Sequence, residues 1–162
     1  MSATSLQRNI HHENWAGKYL YSGSFKKKTA MKYYHSTELS GVSFEKAIDI
    51  VKEALKKEGF GVLTEIDMKA TLKKKLDEDF HPYVILGACN PPFAHKALLI
   101  EDKIGTMLPC NVIVEQPGDD VEVSAVDPIV SMQGVENKAL SGIATEIREK
   151  LKAAIDSLEV TA

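Results

Sequence analysis

Two short segments carry the side chains best suited to chemistry. Gly87-Ala88-Cys89-Asn90-Pro91 and Leu108-Pro109-Cys110-Asn111-Val112 each hold a Cys-Asn pair at the edge of an expected strand. Cys89 stands one place before the expected cap of a proline-initiated helix. There the positive end of the helix dipole lowers a thiol pKa and favours the thiolate. Such a thiolate would serve as a nucleophile or redox centre, with Cys110 as resolving partner. The same two thiols with His81 and His95 form a donor set suited to a soft or borderline metal, or to haem. The cysteines lie 21 residues apart, and no Cys-x-x-Cys or His-x-x-x-His spacing accompanies them. The zinc pattern is therefore weak, and no metal site is assigned. The backbone amides of residues 90–93 offer a third chemistry, anion binding at a helix N-terminus. Against all three stands a plainer reading. Both cysteines would be small buried hydrophobes at strand ends, and His81 and His95 surface groups.

Other catalytic patterns are missing or incomplete. Glu65, Asp67 and Asp127 end expected strands, and a general acid–base pair among them stays open, although acids at such places are commonly solvated. The chain lacks the Gly-x-x-x-x-Gly-Lys phosphate loop, the Gly-x-Gly-x-x-Gly turn, the Gly-x-Ser-x-Gly elbow and the His-Glu-x-x-His zinc pair.

The elements that must position these residues follow from hydrophobic spacing. A strand is expected over 31–38, aromatic at Tyr33 and Tyr34. Ser43 caps a helix in which Phe44, Ala47, Ile48, Val51 and Leu55 recur at helical spacing, and Gly59 stops it. Residues 62–66 read as a strand, and Met68, Leu72 and Leu76 as a short helix whose Lys73-Lys74-Lys75 face is solvated. Residues 83–89 form a nearly unbroken apolar run between His81-Pro82 and Asn90-Pro91, the mark of a buried central strand. Asn90 caps a helix with Pro91 at its first position, and Phe93, Ala94, Ala97 and Leu98 form its inner face. Strands over 110–115 and 121–125 flank the turn Gln116-Pro117-Gly118-Asp119-Asp120, and Asp127-Pro128 closes the second. Asn137 caps a last long helix with an apolar stripe from Leu140 to Leu158.

Composition bounds the partners. The 162 residues hold 20 basic and 23 acidic side chains, a net charge of −3. The charge is unevenly placed. Residues 1–30 carry five cations against Glu13, which leaves +4, while the rest sums to −7. An acidic body with only two arginines, Arg8 and Arg148, is a poor match for nucleic acid, which needs a basic face and guanidinium forks. Two cysteines are too few for a secreted disulfide scaffold. No apolar run reaches the ~18 residues of a membrane span, and no secretory leader is visible, so a cytoplasmic location is the expectation. Residues 1–30 are set apart as an extension and 31–159 as one domain. In the extension, Tyr19 and Tyr21 sit at strand spacing and would pack on the body. Met31 is a second place at which the chain could start, and His11 and His12 are a weak metal signal.

The stretches 59–67, Thr71-Leu72-Lys73-Lys74-Lys75, 82–91, Ala94 with Ala97-Leu98, 108–112 and 123–128 together resemble the family known as domain of unknown function 302. The Gly-Ala-Cys-Asn-Pro and Leu-Pro-Cys-Asn segments are its most specific part, and residues 1–30 fall outside the match. The resemblance implies an α+β domain of β-α-β(4)-α type and often a dimer, with no assigned activity or cofactor. It points to Cys89, Asn90, Cys110 and Asn111 as the positions that carry the signature. The residues themselves give a compatible order: one antiparallel sheet, covered on one face by two long helices, with short helices inserted. An apolar bare face would need a partner. The expected function is a homodimeric domain that binds a small molecule, an anion or a partner near Cys89, Asn90, Cys110, Asn111, His81 and His95. The alternatives are a thiol enzyme using Cys89 and a metal or haem protein using Cys89, Cys110 and a histidine.

Overall fold

The computed structural model describes residues 33–160. The expectations for residues 1–30 therefore lie outside the described residues. Five strands form one sheet in the order β1-β5-β4-β3-β2, with every neighbouring pair antiparallel. They are β1 Tyr34–Leu39, β2 Gly61–Asp67, β3 Tyr83–Cys89, β4 Cys110–Glu115 and β5 Val121–Val126. The α+β reading holds. The first strand starts at Tyr34 and runs on to Leu39, and β5 extends one residue past Ala125.

Two long helices, α1 (Phe44–Lys57) and α5 (Ser141–Asp156), cover one face. Alternation supplies the strand half of that core: Val84, Leu86 and Ala88 from β3, Cys110, Val112 and Val114 from β4, and Val121, Val123 and Ala125 from β5. Helical spacing supplies the other half, Ala47, Val51 and Leu55 from α1 and Ile147, Leu151 and Ile155 from α5. Fully burying one such aliphatic side chain stabilises by about 1.5–3 kcal/mol, so these rows set the sheet's register.

Local signals act where the sequence places them. Ser43 Oγ accepts from the Lys46 amide at 3.3 Å. The C-terminus of α1 closes in a Schellman turn, in which the Phe60 amide donates to the Leu55 carbonyl and the Gly59 amide to the Lys56 carbonyl. Gly59 takes φ +84°, which a side chain would resist. The two short helices are α2 (Met68–Leu76) and α3 (Pro91–Ile100).

Two details differ from expectation. Asn137 does not cap α5 directly. Its side chain accepts from the Ala139 amide and caps a 3₁₀ turn, Lys138–Leu140, which runs on into α5. Asp127-Pro128 ends β5 but also opens a one-turn helix, α4 (Pro128–Ser131), because Asp127 Oδ1 accepts from the Ile129 amide at 2.9 Å. Asp-Pro is also a cap followed by proline at the first helical position, so the signal was present and read only as a stop.

The opposite face of the sheet is half-exposed. Cross-strand pairing aligns Ile66, Ile85, Ile113, Ser124 and Ser36 in one row across all five strands. A second row holds Tyr83, Glu115, Glu122 and Glu38.

Candidate functional site

The two Cys-Asn segments come together at one end of the sheet. The β3–β4 ladder pairs Ala88 with Cys110 and Gly87 with Asn111, so the segments run side by side in opposite directions. Between them the chain makes α3 and a 3₁₀ turn, Ile104–Met107. A small pocket forms beneath α3. Its walls include Phe60, Cys89, Asn90, Phe93, Cys110 and Ile147. The enclosed space is about 30 Å³, room for roughly one or two waters. Met132 and Ala144 belong both to this pocket and to a wider groove of about 530 Å³ that runs along α4 and the start of α5. The groove joins apolar Ile129, Val135 and Leu140 to polar Asn137, Ser141 and Thr145.

Asn90 is 7% exposed and ties three elements together. It stands at the N-cap of α3 but makes no side-chain cap bond. Its Nδ2 instead donates to the Glu58 carbonyl at 3.3 Å, at the end of α1. A methyl group on Gly59 would come 3.1 Å from that nitrogen. The glycine thus has two reasons to be there, its positive φ and the approach of Asn90.

Gly87 is fixed by crowding. An added Cβ would lie 2.2 Å from Thr64 Oγ1 and 2.7 Å from Pro109 Cγ. Thr64 pairs with Gly87 across β2–β3, and Pro109 leads into β4 after a cis Leu108–Pro109 bond. The glycine of the Gly-Ala-Cys-Asn-Pro segment is therefore what lets β2 and the Pro109 ring close over β3.

Cys89 and Cys110 are both free thiols, half-buried and buried respectively. Burial pushes the Cys110 thiol up to about 11, with a smaller push from Cys89. Burial also raises the Cys89 thiol above its ordinary value. The lowered thiol expected beside the start of α3 is not what the surroundings give. Pro91 and Pro92 carry no N–H, so part of the positive end of that helix is missing, and desolvation dominates.

Cys89, Asn90 and Cys110 thus share the pocket, and the other named residues do not line it. Asn111 is exposed and pairs with Gly87 across the ladder. His95 is exposed on α3. His81 lies beyond the far end of β3, roughly 26 Å along the strand from Cys89 at about 3.3 Å per residue. Its Nε2 is 2.9 Å from Glu115 Oε2. Among the described residues no three His, Cys, Asp or Glu side chains converge as metal ligands. Also among them, no helix is long and apolar enough to cross a membrane.

Phe93, Ala97, Ile143 and Ile147 read in the sequence as ordinary helix faces, yet all four line the pocket. Their helical spacing was visible; that a gap lies between the two faces was not. Met132 had no signal at all, since it stands in a loop read as a connection.

The family model described as "Domain of unknown function DUF302" matches residues 35–158. The chain is also similar to a solved structure, the crystal structure of an uncharacterized conserved DUF302 protein from Bacillus stearothermophilus. The two are 32% identical, the match covers 78% of this chain and 98% of that one, and the TM-score is 0.72. Comparison with curated proteins finds no match.

Proposed function

The chain belongs to the DUF302 family, and on that premise we propose that it is a homodimeric binding domain for a small, largely apolar molecule with one polar end. The site is the pocket beside the two Cys-Asn turns together with the groove that adjoins it. The observation that carries this reading is the wall shared by the two spaces, Met132 and Ala144. The inner pocket alone is far below the ~300–1,000 Å³ of usual ligand sites, whereas the groove falls within that range. The ligand's apolar body would rest on Ile129, Val135 and Leu140. Its polar end would meet Asn137, Ser141 or Thr145. Methionine, unbranched and soft, is suited to yield at such a boundary.

Dimerisation is supported by exposed apolar side chains on an element that borders the site. Leu98, Leu99, Ile100 and Met107 are all at least 40% exposed, on α3 and the turn that follows. Such a patch is typical of an interaction surface. The thiol-enzyme alternative draws no support from the raised Cys89 and Cys110 thiols.

The test is a methyl-group NMR titration with a graded series of alkanoates and aryl carboxylates. The Met132 and Ile143 methyls should shift while the Ile66 methyl on the open sheet face stays still. Shifts confined to Ile66 and Ile113, or none across the series, would overturn the site. Sedimentation should give a dimer at micromolar concentration, and a monomer there would overturn the dimer.

A further inference from the structure

We propose that the groove along α4 and the start of α5 takes a free α-amino acid with an aliphatic side chain, bound as a zwitterion, with its ammonium held by Glu136, Ser141 and Thr145 and its carboxylate by Lys138. This deepens the reading above and rests on it, since the same groove is assigned there to a small apolar molecule with a polar end.

Hydrogen-bond capacity decides which polar end fits. Asn137 has no donor left: its Nδ2 donates to Glu101 Oε2 at 3.2 Å and to the Ile100 carbonyl at 3.4 Å. Its Oδ1 already accepts from the Ala139 amide at 3.2 Å. Ser141 Oγ donates its hydrogen to the Lys138 carbonyl, and Thr145 Oγ1 donates to the Ser141 carbonyl, each at 2.9 Å. A hydroxyl whose hydrogen is committed can only accept. These three side chains all line the groove, and they meet a ligand as acceptors. An ionised carboxylate, which also only accepts, finds no partner among them. An ammonium, with three N–H donors, does.

Charge supplies the second half. Glu136 and Lys138 line the same groove on either side of Asn137. Both are exposed, and among the described residues neither side chain makes an ion pair or a hydrogen bond, with the other or elsewhere. Residues two apart have Cα atoms at most about 7 Å from each other. An anionic and a cationic side chain thus stand within reach of the two opposite charges carried on one α-carbon. Their backbone is already fixed. The Val135 amide donates to the Met132 carbonyl, the Asn137 amide to the Val135 carbonyl and the Leu140 amide to the Asn137 carbonyl. A segment ordered before the ligand arrives lowers the cost of binding.

The side chain follows from the remaining wall. Ile129, Val135 and Leu140 are aliphatic, and among the described residues no aromatic ring lines the groove. Branched aliphatic side chains fill such a wall by close contact alone.

The experiment titrates the full chain with leucine, with 4-methylpentanoate (leucine without its ammonium) and with leucinamide (leucine without its carboxylate charge), read by NMR at the Met132 methyl. Leucine should bind at least about tenfold more tightly than either analogue, the loss expected for one charge-assisted contact. Glu136→Gln should bring leucine and 4-methylpentanoate to within about twofold of each other, and Lys138→Gln should do the same for leucine and leucinamide. Circular dichroism confirms that both exposed-site variants are folded. 4-Methylpentanoate that binds as tightly as leucine overturns the zwitterion and leaves the groove standing as a binding site. No shift at Met132 with any of the three compounds overturns it as well. If the wider series of alkanoates and aryl carboxylates is also silent, the binding site itself falls. A preference for leucine that survives both Glu136→Gln and Lys138→Gln overturns the assignment of the two charges.

Discussion

Replacing Gly87 by alanine tests whether close approach of backbones explains the signature segment. The added methyl group meets two atoms of different character. Thr64 Oγ1, 2.2 Å away, is the end of an exposed side chain and can rotate about χ1. Pro109 Cγ, 2.7 Å away, belongs to a closed ring held between Leu108 and Cys110. Relief must therefore come mainly from a shift of the Pro109 segment or of β3. Overpacking of this kind costs about 1–3 kcal/mol. We take ~2 kcal/mol as the expected loss, which for a chain of this length lowers Tm by roughly 4–8 °C. The double variant Thr64→Ala/Gly87→Ala removes the nearer contact and keeps the farther one. It should recover part of the loss relative to Gly87→Ala alone, with a measurable coupling between the two sites. Urea unfolding followed by circular dichroism gives both numbers, provided the m-value is unchanged. A Gly87→Ala variant within ~0.5 kcal/mol of the parent would refute the reasoning. So would a double variant no more stable than Gly87→Ala.

Asn90→Ala leaves the Glu58 carbonyl without its side-chain donor and should cost about 1–3 kcal/mol in the same urea assay, whereas Asn111→Ala, at an exposed site, should stay within ~0.5 kcal/mol. Alkaline stability should fall between pH 9 and about 11: the folded Cys110 thiol holds its proton up to about 11, while the unfolded one releases it near 9.0. The unfolded state is thus favoured as pH rises through that window, and Cys110→Ala should flatten the fall seen in pH-resolved urea titrations. Alkylation of Cys89 by iodoacetamide should be slow at pH 7 and climb only above the ordinary thiol range; fast labelling at pH 7 would contradict the raised thiol. Ser43→Ala should cost about 1 kcal/mol through loss of the α1 cap, read from the same urea curves.

The elements were largely legible because their signals are local. The apolar run of β3, bounded by His81-Pro82 and Asn90-Pro91, coincides with the observed strand. The caps at Ser43 and Gly59 need only neighbours in the chain. What stayed hidden depends on distant segments. Residues 62–66 alternate like a half-buried strand, yet β2 is an edge strand, mostly exposed and interrupted by a bulge between Val62 and Thr64. Its place follows from sheet order, which no local pattern contains. The site was half legible. Cys89 and Cys110 share a chemistry and do share a pocket. His81 was grouped with them by type, but a straight strand holds it at the other end of the sheet. Asn90 was expected to cap with its side chain; the approach of Glu58 offers a competing acceptor that only the folded packing of α1 on β3 reveals.

The strand order also has a consequence for synthesis on the ribosome. The partner of β1 is the last strand, and Tyr34 pairs with Val126, 92 residues later. At about 5–20 residues per second, β1 must wait roughly 5–18 s after translation before its hydrogen-bonding edge can be satisfied. β3 and β4, separated only by α3 and a turn, can pair much sooner. The nascent chain therefore emerges with a strand edge that any neighbouring nascent chain could capture. Polysomes, where copies of the same sequence lie close together, are where this domain is most exposed to swapping its first strand.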